Sequence, residues 1–180
     1  MSREELTDKI LVIKARLGDK QAFASIYNKY VSKLYRFAYY KTSSKELAED
    51  IVSQTFLKAW ERVVVGGQIR SLQALLYKIT RNLIIDYYRS KQSTEVSLEY
   101  DLGEKDEPRQ ELHANIDQDL IKQAVSSIEN SDHKEIIILR YIEDLSIREI
   151  AKILDKSPGN VRIVCHRAIT ELKERLKDYR

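Results

Sequence analysis

Two sets of side chains have the types and spacing to handle nucleic acid. The first is Asn160, Arg162, Ile163, His166 and Arg167, which share the outer face of the opening turns of an apolar-periodic segment near the C-terminus. Side chains so placed are what a recognition helix offers to a major groove. The second is Lys78, Arg81, Asn82, Asp86 and Arg89, interleaved with Tyr77, Tyr87 and Tyr88. Cations for phosphates and π-faces for unstacked bases are the ingredients of a single-strand platform. Each set also has a plain reading: a helical hairpin with solvated arginines for the first, a basic amphipathic helix for the second. Catalysis lacks its parts. Asp50 and Asp86 are isolated carboxylates, apart from Glu46 and Glu49 beside Asp50, so a nucleic-acid enzyme has neither a carboxylate pair nor a metal set. Cys165, the one cysteine, excludes an internal disulfide, and with His113, His133 and His166 scattered around it there is no ligand set for zinc.

The elements that position the first set read as a helix-turn-helix. Ser146 and Glu149 form a capping box ahead of Ile147, Ile150, Ala151 and Leu154, which lie on one face of a short helix ending near Asp155. Asp155-Lys156 makes the turn, and Ser157-Pro158 restarts the chain as N-cap and first helical residue. The inward stripe of the second helix is Val161, Val164, Ala168, Leu172 and Leu176, with Cys165 facing inward as a small hydrophobe.

Composition limits what surrounds this motif. The 180 residues suit one large domain or two small ones, and 43% apolar residues with five Gly and two Pro favour helix over an all-β fold. No signal-peptide core and no apolar run of about 18 residues occurs, so a soluble, cytoplasmic protein is expected. The net charge of +3 is unevenly spread: +8 over residues 1–92, −7 over 93–119 and +2 over 120–180. The fold class is therefore all-α, with two helical domains, 1–92 and 118–180, joined by an acidic flexible linker at 93–117 that holds Gly103 and Pro108. The linker reads either as a solvated tether or as a mimic of nucleic acid in a basic channel.

Within residues 1–92 the periodicity predicts a first helix over about Thr7–Leu17 with Ile10, Ile13 and Leu17 inward, closed by Gly18. Asp19 caps a long core helix to about Lys41, carrying Phe23, Ile26, Tyr27, Tyr30, Leu34, Phe37 and Ala38 as packing residues. Ser43 and Glu46 form a second capping box, ahead of a helix that buries Leu47, Ala48, Ile51, Val52, Phe56, Ala59 and Trp60. Its other side holds Asp50, Gln54, Leu57, Lys58 and Glu61, and Leu57 beside Asp50 and Gln54 forms a candidate protein-docking patch. Gly66-Gly67 breaks this helix into a loop. The helix that follows, with Leu72, Leu76, Ile79, Leu83 and Tyr87 as its core stripe, carries the second chemical set.

Three segments taken in order decide between these readings: GDKQAFASIYNKYVSKLYRFAY, then AEDIVSQTFLKAWERV with ALLYKITRNLIIDYYRSKQ, then HKEIIILRYIEDLSIREIAKILDKSPGNVRIVCHRAITELKERL. Together they resemble the extracytoplasmic-function group of bacterial sigma factors over nearly the whole chain outside the acidic segment. The resemblance implies a non-enzymatic transcription initiation factor with no cofactor, whose partners are bacterial RNA polymerase core, promoter DNA and an anti-sigma factor. It implies that Asp50, Gln54 and Leu57 dock on the polymerase. Gln68 in the Val64–Ser71 loop, with Lys78, Arg81, Asn82, Asp86 and Arg89, would read and melt the −10 element. Arg140, Asn160, Arg162, Ile163, His166 and Arg167 would read the −35 element. The chain departs from the family pattern at Ser53-Gln54, where an acidic pair such as Gln-Glu is usual, and at Ile163, where Ser is common. Glu129-Asn130 stands for a customary Leu-Pro and Asp144 for a customary Gly, changes expected to alter turns rather than the fold. The alternative is a stand-alone helix-turn-helix regulator that binds a duplex operator as a dimer, although no dimerisation heptads appear.

Overall fold

The computed structural model describes residues 3–95, 121 and 123–177, and every regular element among them is helical. Most of the segment assigned to an acidic linker lies outside the described residues. In the N-terminal unit, α1 spans Arg3–Arg16, α2 Lys20–Thr42, α3 Lys45–Val65 and α4 Leu72–Glu95. The boundaries follow local chemistry. Asp19 accepts hydrogen bonds from the backbone N–H groups of Gln21 and Ala22 and starts α2, and Gly66, at φ 86°, ends α3. The second cap is one residue later than the sequence suggested. Ser43 is the left-handed C-cap of α2, and it is Ser44 whose hydroxyl accepts from the Leu47 N–H to start α3.

The rotation of α1 differs from expectation. Ile10, Ile13 and Leu17 face solvent, while Asp8, Val12 and Ala15 are buried. The reason is a polar anchor. The Asp8 carboxylate accepts from the Tyr30 hydroxyl and lies 2.6 Å from Lys29 Nζ, so α1 turns its Asp8 side onto α2. Burial of the charged form first, and then the Asp8 carboxylate, push the Tyr30 phenol far up from its ordinary value.

Leu34, Phe37 and Ala38 of α2 are fully buried against Ile51, Val52 and Phe56 of α3 and Leu76 of α4. The aromatics of α2 and α3 pack on one another: Phe23 meets Trp60 edge-on at 4.7 Å between centroids, and Tyr27 meets Phe56 at 4.6 Å. Tyr27 keeps an exposed edge. A hydrogen bond of 3.1 Å between the buried Thr55 and Thr80 hydroxyls joins α3 to α4.

The C-terminal unit begins with a helical turn at 123–126, followed by α5 (Ser131–Ile137), α6 (Ile147–Leu154) and α7 (Pro158–Lys177). Asn130 caps α5 through the N–H groups of Asp132 and His133, a job that the customary proline has no side-chain group to do. α5 runs on into a π-helical turn, Ile138–Ile142, and Asp144 takes the left-handed conformation at φ 52° that a glycine would take freely. The Ser146–Glu149 capping box is present in both directions, and Asp155 ends α6 in the left-handed region. In α7 the buried residues are Val161, Cys165 and Ala168, with Val164 and Leu172 half-buried, so the inward stripe runs through Cys165 rather than Val164. The side chain of Leu176 lies outside the described residues.

Most of the buried apolar side chains of the two units form one continuous cluster, in which α6 packs on α4 and the π-helical turn packs on α2, while Ala15, Ala22 and Val63 make a small separate one. A carboxylate sits in this contact. Glu143, whose side chain has no exposed surface, accepts two hydrogen bonds from the Arg36 guanidinium at 2.9 and 3.0 Å and one from the Tyr77 hydroxyl at 3.2 Å. The hydrogen bonds to Glu143 raise the Arg36 pKa, and burial followed by the Glu143 charge pushes the Tyr77 phenol well up.

Two outcomes follow from this packing. Leu34→Ala is expected to cost about 2–5 kcal/mol in urea unfolding because it empties a fully buried site, while Ser146→Ala, which removes one cap, is expected to cost about 1 kcal/mol. Tyr30 and Tyr77 have folded pKa values above their unfolded ones. Their contribution to stability is whole below about pH 10 and declines as pH rises beyond it. In an ultraviolet titration these two phenols are expected to ionise together with loss of helical circular dichroism, after the solvent-exposed tyrosines.

Candidate nucleic-acid interface

The candidate recognition face is built by two caps and a turn. Ser157 Oγ accepts the Asn160 N–H at 3.2 Å and Pro158 occupies the first helical position, so α7 leaves the turn in a fixed direction. Val161, Cys165 and Ala168 hold its inner side against α5 and α6. The same rotation sets Asn160, Arg162, Ile163, His166 and Arg167 in solvent on one face, with Ile163 55% exposed. Arg140 differs from these. It is half-buried, and its Nη1 donates to the Leu145 carbonyl at 2.8 Å, which fixes the turn before α6. Cys165 is buried, with its sulfur 3.9 Å from the Tyr141 hydroxyl.

In the N-terminal unit, Asp50, Gln54 and Leu57 lie exposed along α3, with Leu57 60% exposed. Beside them an open groove of about 350 Å³ runs between α2 and α3, lined by Tyr27, Val31, Tyr35, Glu49 and Ser53 among others. The patch combines an apolar side chain, a carboxylate and an amide on a rigid helix, which suits docking of another protein.

The loop that precedes α4 is tied back to α1. Arg16 donates from Nε to the Val63 carbonyl at 3.1 Å and from a terminal nitrogen to the Gly67 carbonyl. Between α1 and this loop lies a cavity of about 220 Å³, with Asp8, Arg16, Tyr30, Gln68, Arg70 and Gln73 in its walls. Gln68 is exposed at its edge. Val12, Ile13, Ile69 and Leu72 complete its walls together with Glu4, Glu5, Lys9 and Glu149, so the cavity is apolar with polar groups of both charges at hand, and such groups can hydrogen-bond a heteroaromatic edge.

Along α4 the expected set divides. Asn82, Asp86 and Arg89 are exposed, as are Tyr87 and Tyr88, whose rings meet edge-on at 5.4 Å. Tyr77 is not part of a stacking platform. It is wholly buried, edge-on to Phe37 at 5.3 Å, because its hydroxyl reaches Glu143. Tyr87, expected in the core stripe, is 40% exposed, and Tyr77, Thr80 and Ile84 take the buried positions instead. Lys78 and Arg81 face the C-terminal unit. Lys78 Nζ lies 2.5 Å from Asp155 Oδ1, and Arg81 Nε lies 2.9 and 3.1 Å from the two oxygens of buried Glu135. Lys41 lies 3.9 Å from Glu135 and donates to Ser131 Oγ at 3.2 Å. Burial lowers the Lys41 pKa, and the Glu135 carboxylate opposes that shift.

Arg36, Lys41, Glu135 and Glu143 were missed in the sequence. The signal was there in part: Glu135 and Glu143 bracket the apolar run IIILRYI, and a carboxylate on the buried side of such a run needs a cation from another element.

Residues 26–94 match Sigma-70 region 2, and residues 130–172 match Sigma-70, region 4. The chain is 31% identical to the ECF RNA polymerase sigma factor BldN of Streptomyces coelicolor over 93% of its own length, and it spans 65% of that relative. It is 30% identical to the ECF RNA polymerase sigma factor SigL of Mycobacterium tuberculosis, covering 91% of this chain and 94% of SigL. In three dimensions it is similar to the sigma factor RpoE of Bartonella quintana, solved in complex with the anti-sigma factor NepR. The TM-score is 0.70 at 25% identity, covering 88% of this chain and 98% of that one. A stand-alone helix-turn-helix regulator would account for the C-terminal match only. With both regions present in order, and with a close relative matched along almost its full length, the chain belongs to the extracytoplasmic-function group of bacterial RNA polymerase sigma factors.

Proposed function

We propose that this sigma factor directs polymerase core to promoters through three separate surfaces carried on two domains, 1–92 and 118–180, with 93–117 as the connection between them. Asp50, Gln54 and Leu57 dock on the polymerase. Gln68, Asn82, Asp86 and Arg89, with Lys78 and Arg81 once they are released from the C-terminal unit, read and hold the non-template strand at the −10 element. Asn160, Arg162, Ile163, His166 and Arg167 read the −35 duplex, and Arg140 supports them from the turn before α6. The observation that carries this reading is the single exposed face of α7, where two arginines, a histidine, an asparagine and Ile163 stand together in solvent above a buried stripe.

The chemistry divides among the surfaces. Arg162 and Arg167 offer forked donors to guanine edges or to phosphates, and Ile163 offers a methyl contact to thymine where a serine would donate a hydrogen bond. That exchange favours a thymine within the −35 element. Extruding a base costs on the order of a few kcal/mol, so the cavity beside Gln68 offsets melting only when phosphate contacts along α4 add to it. Polymerase bound at α3 brings the two together. RpoE was solved with an anti-sigma factor, and that likeness supports an anti-sigma partner for this chain as well. The protein works in the cytoplasm, where core polymerase and promoter DNA are; among the described residues no helix is long and apolar enough to cross a membrane.

Run-off transcription with purified core polymerase on genomic fragments, including the region upstream of the protein's own gene, tests this reading. The protein is expected to add a promoter-specific transcript. Asp50→Arg abolishes it by weakening the complex with core, a loss visible in gel filtration, while Arg162→Ala with Arg167→Ala leaves that complex intact and lowers transcription at least about tenfold, at about 1–3 kcal/mol per lost base contact. Tight specific binding to duplex by the protein alone, with no transcript, would contradict it.

A further inference from the structure

We propose that the acidic side chains Glu135, Glu143 and Asp155 of the C-terminal domain are the intramolecular occupants of the cationic face of α2 and α4, so that the free chain is closed and withholds part of its strand-binding surface. The inference rests on the reading of Lys78 and Arg81 as strand-binding residues given above. Its geometric basis is independent of that reading. Each of the three carboxylates reaches across from one domain to the other: Glu143 to Arg36 and Tyr77, Glu135 to Arg81 and Lys41, Asp155 to Lys78. Both oxygens of Glu135 lie within hydrogen-bond distance of Arg81 Nε, and both oxygens of Glu143 are bound by separate nitrogens of Arg36. Guanidinium groups bind carboxylate and phosphate through the same donors. The carboxylates therefore stand where strand phosphates would, and the two cannot be bound at once.

The closed form covers one surface and leaves two open. Asp50, Gln54 and Leu57 are exposed, and so are Arg162, Ile163, His166 and Arg167. Asn82, Asp86 and Arg89, further along α4, are exposed as well, so the covered part is the stretch around Lys78 and Arg81 nearest the loop. Polymerase can accordingly dock on the closed chain before the strand-binding surface is released. The contact is also of a kind that opens. Paired buried charges regain hydration when they separate, so their net contribution is small compared with an apolar contact of the same size, whereas removing one partner strands the other without solvent. The charged network adds little to the cost of release, which falls mainly on the apolar surround where α6 packs on α4 and which polymerase binding must offset, while single substitutions within the network are disruptive.

Charge exchange tests the closed form with the full chain. Fluorophores are placed at Glu61→Cys and Lys173→Cys in a Cys165→Ala background, all outside the contact, and energy transfer reports the separation of the domains. Transfer is expected to be high in this parent, to fall in Glu143→Ala and in Arg36→Glu, and to return when Arg36→Glu is combined with Glu143→Arg. Circular dichroism confirms that helix content is kept. In parallel, binding of a mixed-sequence single-stranded oligonucleotide is measured at low salt. It is expected to rise severalfold in both single variants, including Arg36→Glu, which makes the protein less positive, and to fall back in the exchanged pair. Unchanged transfer in both single variants, with helix content kept, would overturn the closed form. Reduced transfer without any gain in oligonucleotide binding would leave the domain contact standing and overturn the withholding of the strand surface, together with the role given to Lys78 and Arg81.

Discussion

Glu143 has no exposed side-chain surface, and a carboxylate in that position must be surrounded by donors or it would force its neighbourhood apart. Arg36 from α2 and Tyr77 from α4 supply them. That requirement fixes several features together. It draws the π-helical turn onto α2, it buries Tyr77 among core residues, and it sets the side of α4 that carries Lys78 and Arg81 against α5 and the end of α6. Among the described residues every buried side-chain nitrogen and oxygen has a partner, so the contact between the domains is a satisfied polar network inside an apolar surround.

Local chemistry was legible where both partners lie within a few residues of each other. Asp19, Ser146 with Glu149, Asp155 and Ser157-Pro158 announce helix ends because a cap and its N–H groups are sequence neighbours, and the structure keeps each of them. The exposed face of α7 was legible for the same reason: one helical period relates Val161 and Ala168 inside to Arg162, Ile163, His166 and Arg167 outside. The shift of the α3 cap from Ser43 to Ser44 shows the limit of such signals, since adjacent serines offer the same hydroxyl and only the left-handed turn at Ser43 separates them.

What was not legible depends on partners far along the chain. α1 carries a regular stripe of Ile10, Ile13 and Leu17, yet Asp8 decides its rotation because Tyr30 and Lys29 wait for it on α2. Tyr77 looked like a stacking residue because basic side chains flank it, but Glu143, remote in sequence, claims its hydroxyl. Lys78 and Arg81 were read as cations on the outer face of α4, and nothing near them in the sequence announced that Asp155 and Glu135 would reach them. A hydrophobic period states which side of a helix is apolar; it does not state which charges on the polar side will find each other across a domain boundary.

On the proposed reading, a sigma factor with this arrangement meets polymerase before the strand. The proposed docking patch on α3 and the proposed reading face of α7 are exposed, whereas Lys78 and Arg81 are held by carboxylates of the C-terminal unit. The most direct measurement is energy transfer between labelled domains of the otherwise unaltered chain as core polymerase is added. Transfer is expected to fall as the complex forms and to stay high when the labelled chain carries Asp50→Arg. Transfer that stays high at saturating core, in a sample that makes a promoter-specific transcript, would contradict a closed chain opened by polymerase.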